Sequence, residues 1–408
     1  MKFPNTNAVL EQAKEHDSFY LYDEKVILER AERLKKAFEG IGLLYSIKTN
    51  PYVNVVKTVF SKGFGADAAS FNEVLLAEKC GLKKDEIYYS APGKTPFDIE
   101  GAVEKSIITA DSLNEIDLIE KTAQSKGITA EIGVRINPDF SFYGGKGTAS
   151  KFGIEEKQLF ENAEKIKNMK HVKVIGIHVH LHSQELDARY IEKYYENMFD
   201  LAERAEEKMG VEFKFINLGS GIGIPYAERE KEVNVELLGE KLRVLVGRYK
   251  EKHSSTHIYV ETGRYSVGKA GVYAAKVVDK KTSYGKTFVI LAATLTGFAR
   301  PAYAHMFEKY AVDEFPAECE PFYTCKGAFQ YVPLTENTDT EKVTLCGGLC
   351  TSTDIIEEDI ELKKLDIGDV VVITNAGSYA AVITPMEFAS LRKPAQLMLK
   401  ADGTVTEA

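Results

Sequence analysis

Short apolar runs alternate with longer amphipathic stretches from about residue 43 to about residue 265. The runs cover 43–48 (LLYSIK), 65–68 (GADA), 87–90 (IYYS), 107–110 (IITA), 131–136 (EIGVRI), 174–180 (VIGIHVH), 215–218 (FINL) and 258–261 (IYVE). Between them, 53–62, 71–80, 112–126, 155–169, 187–209 and 230–252 carry helical periodicity. Ser112 followed by Glu115 has the form of a helix N-cap and its capping box. Strand–helix alternation implies parallel pairing through right-handed crossovers. Eight repeats predict a closed (β/α)8 barrel, with an open doubly wound sheet as the second choice.

The texture changes near residue 270. GVYAAKVVDKK, KTFVILAATL, KVTLCGGLC, DVVVITNAG and YAAVITPM read as β-rich segments separated by turns, with long helix patterns scarce. The expected division is 1–27 as a segment joining the β domain through FYLYDE, 28–268 as the barrel, and 269–408 as a C-terminal β-rich domain. The 408 residues suit a barrel plus a smaller partner, and 44% hydrophobic with 28% charged residues suits a globular chain. A net charge of -9 argues against a nucleic-acid groove or an acidic-membrane contact. No signal core or membrane-length apolar run is present, and five scattered cysteines (Cys80, Cys319, Cys325, Cys346, Cys350) make no disulfide framework. A cytoplasmic location is expected.

Barrel chemistry sits at the C-terminal ends of strands. There the first run offers Lys48, whose burial would lower its pKa as in a Schiff-base lysine; a solvent lysine closing a strand would look the same. The sixth gives His178, His180, His182 and Ser183, with the histidines on one face by alternation. They suit a barrel metallohydrolase, a histidine stacked on an aromatic cofactor, or a polar strand end. The seventh runs into Gly219-Ser220-Gly221-Ile222-Gly223, where backbone N–H groups could approach a phosphate. The eighth gives Glu261 and Arg264: a carboxylate for a protonated pyridine nitrogen and a cation for phosphate, or a plain surface pair. Cys346 and Cys350 lack the second pair that a zinc site wants, and no metal is expected.

Taken in order, these segments resemble the fold-type III pyridoxal-phosphate-dependent decarboxylases, the diaminopimelate/ornithine/arginine decarboxylase group of the alanine-racemase-like fold, over about residues 18 to 395. The resemblance implies pyridoxal 5'-phosphate as cofactor, linked to Lys48. It implies Asp67 and Glu73 on the cofactor side, His180 against the pyridine ring, and Glu261 at its nitrogen. Ser183, Gly219 to Gly223 (Gly221 and Gly223 among them), Arg264 and Tyr379 are implied at the phosphate. It further implies a homodimer with shared sites, in which Cys350 enters from the other subunit to protonate the carbanion, and Lys151 and Asp354 bridge the subunits.

Ser220 replaces the middle of a usual triple glycine, and His182 a usual glycine. Thr351 stands where decarboxylases of free diamino acids carry an acid for the distal ammonium, which points to modified substrates such as a carrier-protein-bound or siderophore conjugate. Phe298-Ala-Arg300-Pro301-Ala-Tyr303 resembles the segment that meets a distal carboxylate in diaminopimelate decarboxylases, although Tyr303 sits one place early. The leading expectation is therefore decarboxylation of an α-amino acid with a distal carboxylate or amide by a diaminopimelate-decarboxylase-like enzyme, with meso-diaminopimelate first among substrates. A conjugated amino acid comes second and, outside the class, a metal-dependent barrel hydrolase.

Overall fold

The computed structural model describes residues 6–310, 322, 324, 325 and 327–407; Cys319 lies outside them. After strand β1 (Ser18–Asp23), the chain builds β2 (Gly42–Ser46), β3 (Gly65–Ala68), β4 (Ile87–Ser90), β5 (Ile107–Ala110) and β6 (Ala130–Asn137). A two-residue β7 (Ile154–Glu155) hangs on β6, and β8 (Val172–His178), β9 (Phe215–Asn217) and β10 (His257–Thr262) follow. All of these except β1 pair in parallel, and β10 against β2 together with β5 against β6 close the ring. This is the expected eight-stranded barrel.

Its interior is plugged by side chains. Leu44, Tyr88, Ile107, Ile175 and Phe215 form a buried cluster with Tyr259 against it, and Tyr88 meets both Phe215 and Tyr259 at 5.0 Å between ring centres. Phe215 has room because β6 and β8 carry glycine beside it: a Cβ on Gly176 would stand 2.5 Å from its ring and one on Gly133 2.8 Å. A filled interior leaves the strand ends as the place for a ligand.

The second sheet contains β11 (Gly271–Ser283), β12 (Lys286–Leu291), β13 (Tyr331–Leu334), β14 (Thr340–Gly347), β15 (Ile355–Lys363), β16 (Val370–Ile373), β17 (Ala395–Leu399) and β18 (Val405–Glu407). β1 lies within it, antiparallel to β11 and parallel to β17. Alternation along β1 explains the fit. Phe19 and Leu21 pack with Val9, Val272, Val372 and Leu397 on one face, while Tyr20 and Tyr22 join the main core on the other.

Four local expectations are corrected. Segment 379–386 (YAAVITPM) is not a strand but loop with a 3-10 turn at Ala381–Ile383. A helix, Ala299–Tyr310, interrupts the β-rich region; Pro301 is tolerated in its first turn because no helical N–H partner is lost there. The stretch 155–169 splits into two short helices, Glu156–Glu161 and Ala163–Lys167. Ser112 does cap its helix, accepting from Glu115 N, but the Glu115 carboxylate turns to Asp111 N and to Lys94 instead of closing a box. No described helix is long and apolar enough to cross a membrane.

Candidate active site

A cleft at the barrel mouth is lined by Ser46, Lys48, Thr49, His180, Ser183, Gln184, Ser220, Gly221, Ile222, Glu261, Gly263, Arg264 and Tyr379. Lys48 lies just past β2, in a 3-10 turn (Ile47–Thr49) that forms because Thr49 Oγ1 and Asn50 N bond back to Ser46 O and Ile47 O. Its Nζ donates to Asp67 Oδ2 at 2.9 Å, and Ser90 Oγ donates to Asp67 Oδ1 at 2.6 Å. Asp67 is fully buried, whereas the Lys48 side chain is 40% exposed toward the cleft. The expected lowering of the Lys48 pKa is reversed: burial works in that direction, but Asp67 and then Glu261 hold the ammonium charged and push it up. Beside them, burial pushes the Glu73 carboxyl up to about 7, against the Ala69 N–H and Lys48.

The three histidines do not converge. β8 ends at His178, so strand alternation does not carry through to His180 and His182. His178 Nε2 stands 3.1 Å from Glu261 Oε1, close but off the line of a good hydrogen bond. His182 turns outward, clasped by Phe142 at 4.8 Å and bonded to Tyr143 Oη at 2.9 Å. His180 alone lines the cleft. The Ser220 N–H can only donate, so His180 Nδ1 accepts from it (3.2 Å) and the ring proton sits on Nε2, facing Ser183 Oγ at 3.0 Å. Burial, opposed by Glu261 and aided by Lys48, lowers its pKa to about 3, which keeps the ring neutral. Among the described residues no group of three or more His, Cys, Asp or Glu could hold a metal ion.

Glu261, near the end of β10, is 2% exposed. Its Oε1 accepts from Asn217 Nδ2 at 2.9 Å. Burial raises a carboxyl, but His178 and Lys48 outweigh it and hold Glu261 ionised, well below the usual range. Asn217 also accepts from Gly219 N at 2.9 Å, tying the carboxylate to the glycine turn.

That turn needs glycine at two points. Gly219 has φ +62°, and a Cβ there would stand 2.3 Å from Val179 O; a Cβ on Gly223 would stand 2.8 Å from the Gln184 backbone. A Cβ on Gly221 would meet Phe142 at 3.5 Å and His182 O at 3.8 Å, both ordinary contacts. Gln184 zips the two segments together, donating to Ile224 O and accepting from Ile224 N. Across the cleft the Arg264 guanidinium lies 4.8 Å from the centre of the Tyr379 ring. Tyr379 is held at φ 47° by its N–H to Thr49 O (2.9 Å), a costly backbone state for a non-glycine residue at a cleft rim.

Other expected residues are not brought to this cleft within one chain. Cys350 is exposed on the β14–β15 loop. Thr351 beside it bonds Thr353 Oγ1 at 2.9 Å. Asp354, 3% exposed, takes Leu295 N and Leu349 N as well as Thr294 Oγ1, so it is engaged within its own chain and not as an exposed bridging carboxylate. Lys151 lies 4.9 Å from the Phe152 ring. Arg300 is 1% exposed, donating to Tyr226 Oη and Ser378 O, and Tyr303 packs on Phe322. Sequence reasoning missed Ser90, Gln184, Asn217 and Tyr226. Asn217 had one available signal, its place on a strand end two residues before a glycine.

The donor set fits pyridoxal phosphate. The cleft lining includes an amine and a carboxylate held ionised, which suits a ring nitrogen. A neutral imidazole lines it too, together with a serine, an arginine and Gly221, a glycine that packing alone does not require, for a phosphate.

Comparison with known proteins supplies the same context. Residues 24–268 match the pyridoxal binding domain of pyridoxal-dependent decarboxylases. The chain is 32% identical to a diaminopimelate decarboxylase of Archaeoglobus fulgidus over 368 residues, covering 88% of this chain and 83% of that one. It is 30% identical to the L-glutamyl-[BtrI acyl-carrier protein] decarboxylase of Niallia circulans over 397 residues, covering 95% and 89%. The solved diaminopimelate decarboxylase of Helicobacter pylori, complexed with L-lysine, superposes with a TM-score of 0.81 at 26% identity, covering 97% of this chain and 95% of that one.

Proposed function

The chain belongs to the family of pyridoxal-dependent decarboxylases, and from that premise we propose that it decarboxylates an α-amino acid whose distal end is a carboxylate or an amide, with meso-diaminopimelate first among candidates. Its cofactor is pyridoxal 5'-phosphate. The observation that carries the reading is Glu261, held ionised in the cleft that Lys48 also lines.

In this reading the Lys48 amine would hold the cofactor, and Asp67 Oδ2, which accepts from that nitrogen at 2.9 Å, would orient it. Glu261 would pair with a protonated ring nitrogen, and Asn217, donating to its Oε1, aims it, with His178 beside it. Neutral His180, which lines the cleft, would meet the ring without adding charge. Ser183, the 219–223 backbone, Arg264 and Tyr379 would hold the phosphate. Bound pyridoxal phosphate supplies an electron sink for the pair released when the Cα–carboxylate bond breaks. Cys350 Sγ–H of a second copy then delivers the proton to Cα, which makes the working unit a homodimer with shared sites. A free catalytic thiol favours a reducing, cytoplasmic setting.

The diaminopimelate decarboxylases among the relatives support the leading substrate, whereas Arg300, buried against Tyr226 and Ser378, does not reach the cleft within one chain. Thr351 supports a second one: an uncharged residue after the cysteine removes the partner for a distal ammonium. The carrier-protein-dependent relative supports an amino acid conjugated to a carrier.

The test measures CO2 released from diaminopimelate, lysine, ornithine, arginine and glutamate conjugates. Diaminopimelate turnover is expected. Turnover of a conjugate alone would move the assignment to the second substrate, and turnover of none, with no Lys48 adduct after borohydride trapping, would end the reading.

A further inference from the structure

Tyr226 lies just past the glycine turn and is 3% exposed. Its phenol oxygen accepts from Arg264 Nη1 at 2.5 Å and from Arg300 Nη1 at 3.3 Å. The two guanidinium carbons lie 5.5 and 4.8 Å from the centre of its ring, and Lys269 Nζ lies 5.9 Å away. Three cations thus surround one electron-rich ring. The nearby Glu230 carboxylate is turned to the backbone N–H groups of Tyr226 and Ala227.

Only one of the three cations lines the cleft: Arg264, beside Ser183, Gly221 and Tyr379. Arg300 instead reaches Ser378 O, the residue before Tyr379. One phenol oxygen therefore joins an arginine of the barrel to an arginine of the helix Ala299–Tyr310 and, through it, to the Tyr379 loop. Two guanidiniums brought this close repel, and a shared acceptor lowers that cost. Burial would raise the Tyr226 pKa, but the two arginines pull it below the ordinary phenol range, in keeping with two cations on one oxygen.

We propose that Tyr226 is a positioning residue for the phosphate end of the cofactor: it fixes Arg264 toward a bound phosphate and couples that arginine to Arg300 and the Tyr379 loop. The inference rests on the cofactor reading above and adds the residue that orients the phosphate cation.

The test compares two ligands on the apo protein. Wild type and Tyr226→Phe are titrated with pyridoxal 5'-phosphate and with pyridoxal, which lacks the phosphate. Tyr226→Phe should weaken pyridoxal phosphate about tenfold or more, the worth of one hydrogen bond to a charged group, and change pyridoxal affinity less than about twofold. In an Arg264→Gln background the same substitution should add little, because the two residues act through one contact. Equal losses for both ligands, or none for pyridoxal phosphate, would overturn the inference while leaving the cofactor reading intact. Wild type that binds neither ligand would overturn both. If Tyr226→Phe does not fold, 3-fluorotyrosine incorporated at position 226 carries the same test. It keeps the shape and makes the phenol more acidic, so the affinity for pyridoxal phosphate should shift while that for pyridoxal does not, and a shift shared by both ligands, or none, refutes the proposal.

Discussion

Asn217→Ala probes the hinge between the ring-nitrogen carboxylate and the glycine turn. Asn217 is 1% exposed and makes two 2.9 Å hydrogen bonds, one given to Glu261 Oε1 and one accepted from Gly219 N. The first goes to a charged group and is worth about 1.5–3 kcal/mol; losing the second strands a backbone N–H among buried atoms, at about 1–3 kcal/mol. The sum, about 2.5–6 kcal/mol, is a large share of the ~5–15 kcal/mol that holds a typical domain. Urea unfolding of the apo protein should show it as a shifted midpoint at unchanged slope. Glu261 would also lose one of the contacts that aim it. We expect kcat at saturating cofactor to fall about tenfold, the equivalent of ~1.4 kcal/mol, with KM little changed. Asn217→Asp sharpens the test: its Oδ1 still accepts from Gly219, but a second carboxylate now faces Glu261, so the variant should be hurt more as pH rises. A stability loss below about 1 kcal/mol together with unchanged kcat would refute this account.

Cys350→Ala should slow correct product formation and allow protonation at the wrong atom; unchanged rate and product by NMR in deuterated water would remove Cys350 from the mechanism. Burial favours the neutral form of Glu73 in the folded protein, with its pKa near 7 against the ordinary 4.5, so its stabilising effect is complete below about pH 4.5 and fades as pH rises to 7. Glu73→Gln should therefore gain on wild type in urea midpoints between pH 5 and pH 8, and parallel curves would contradict the assignment. Lys94, with no exposed side-chain surface, donates to Thr109 O, Ala91 O and Glu115. Glu115→Gln should cost about 3–5 kcal/mol by leaving that ammonium without its counter-charge, whereas Lys94→Met should cost less because Glu115 keeps two backbone donors, an order that calorimetry can reverse. Thr351→Asp should raise kcat/KM for amino acids with a basic tail about tenfold relative to those with an acidic tail; an unchanged ratio would show that position 351 does not read the tail.

The barrel was legible because parallel strands buried on both faces leave compact apolar runs with helices between, and a count of those runs decides closure. Lys48 and Glu261 were legible because strand ends are where this architecture puts chemistry. The rest depended on distance. Tyr226 meets Arg264 and Arg300 across 38 and 74 residues of chain, and no local pattern announces such a contact. The charge state of Lys48 was misjudged because burial is visible in an apolar run, while the Asp67 oxygen 2.9 Å away belongs to the next strand. His182 was grouped with its neighbours because alternation was carried past the point where β8 stops. The helix Ala299–Tyr310 was missed because Pro301 suggests a break, although in a first turn it marks a beginning.

The place of β1 shapes how this molecule is made. Residues 18–23 leave the ribosome long before either neighbour exists: the antiparallel one lies in residues 271–283 and the parallel one in 395–399. During synthesis the barrel can assemble while that early strand waits with both edges unpaired, a state open to aggregation. Nascent chains arrested before residue 395 should therefore bind holdase chaperones through Phe19 and Leu21, and release should follow completion of the last strands.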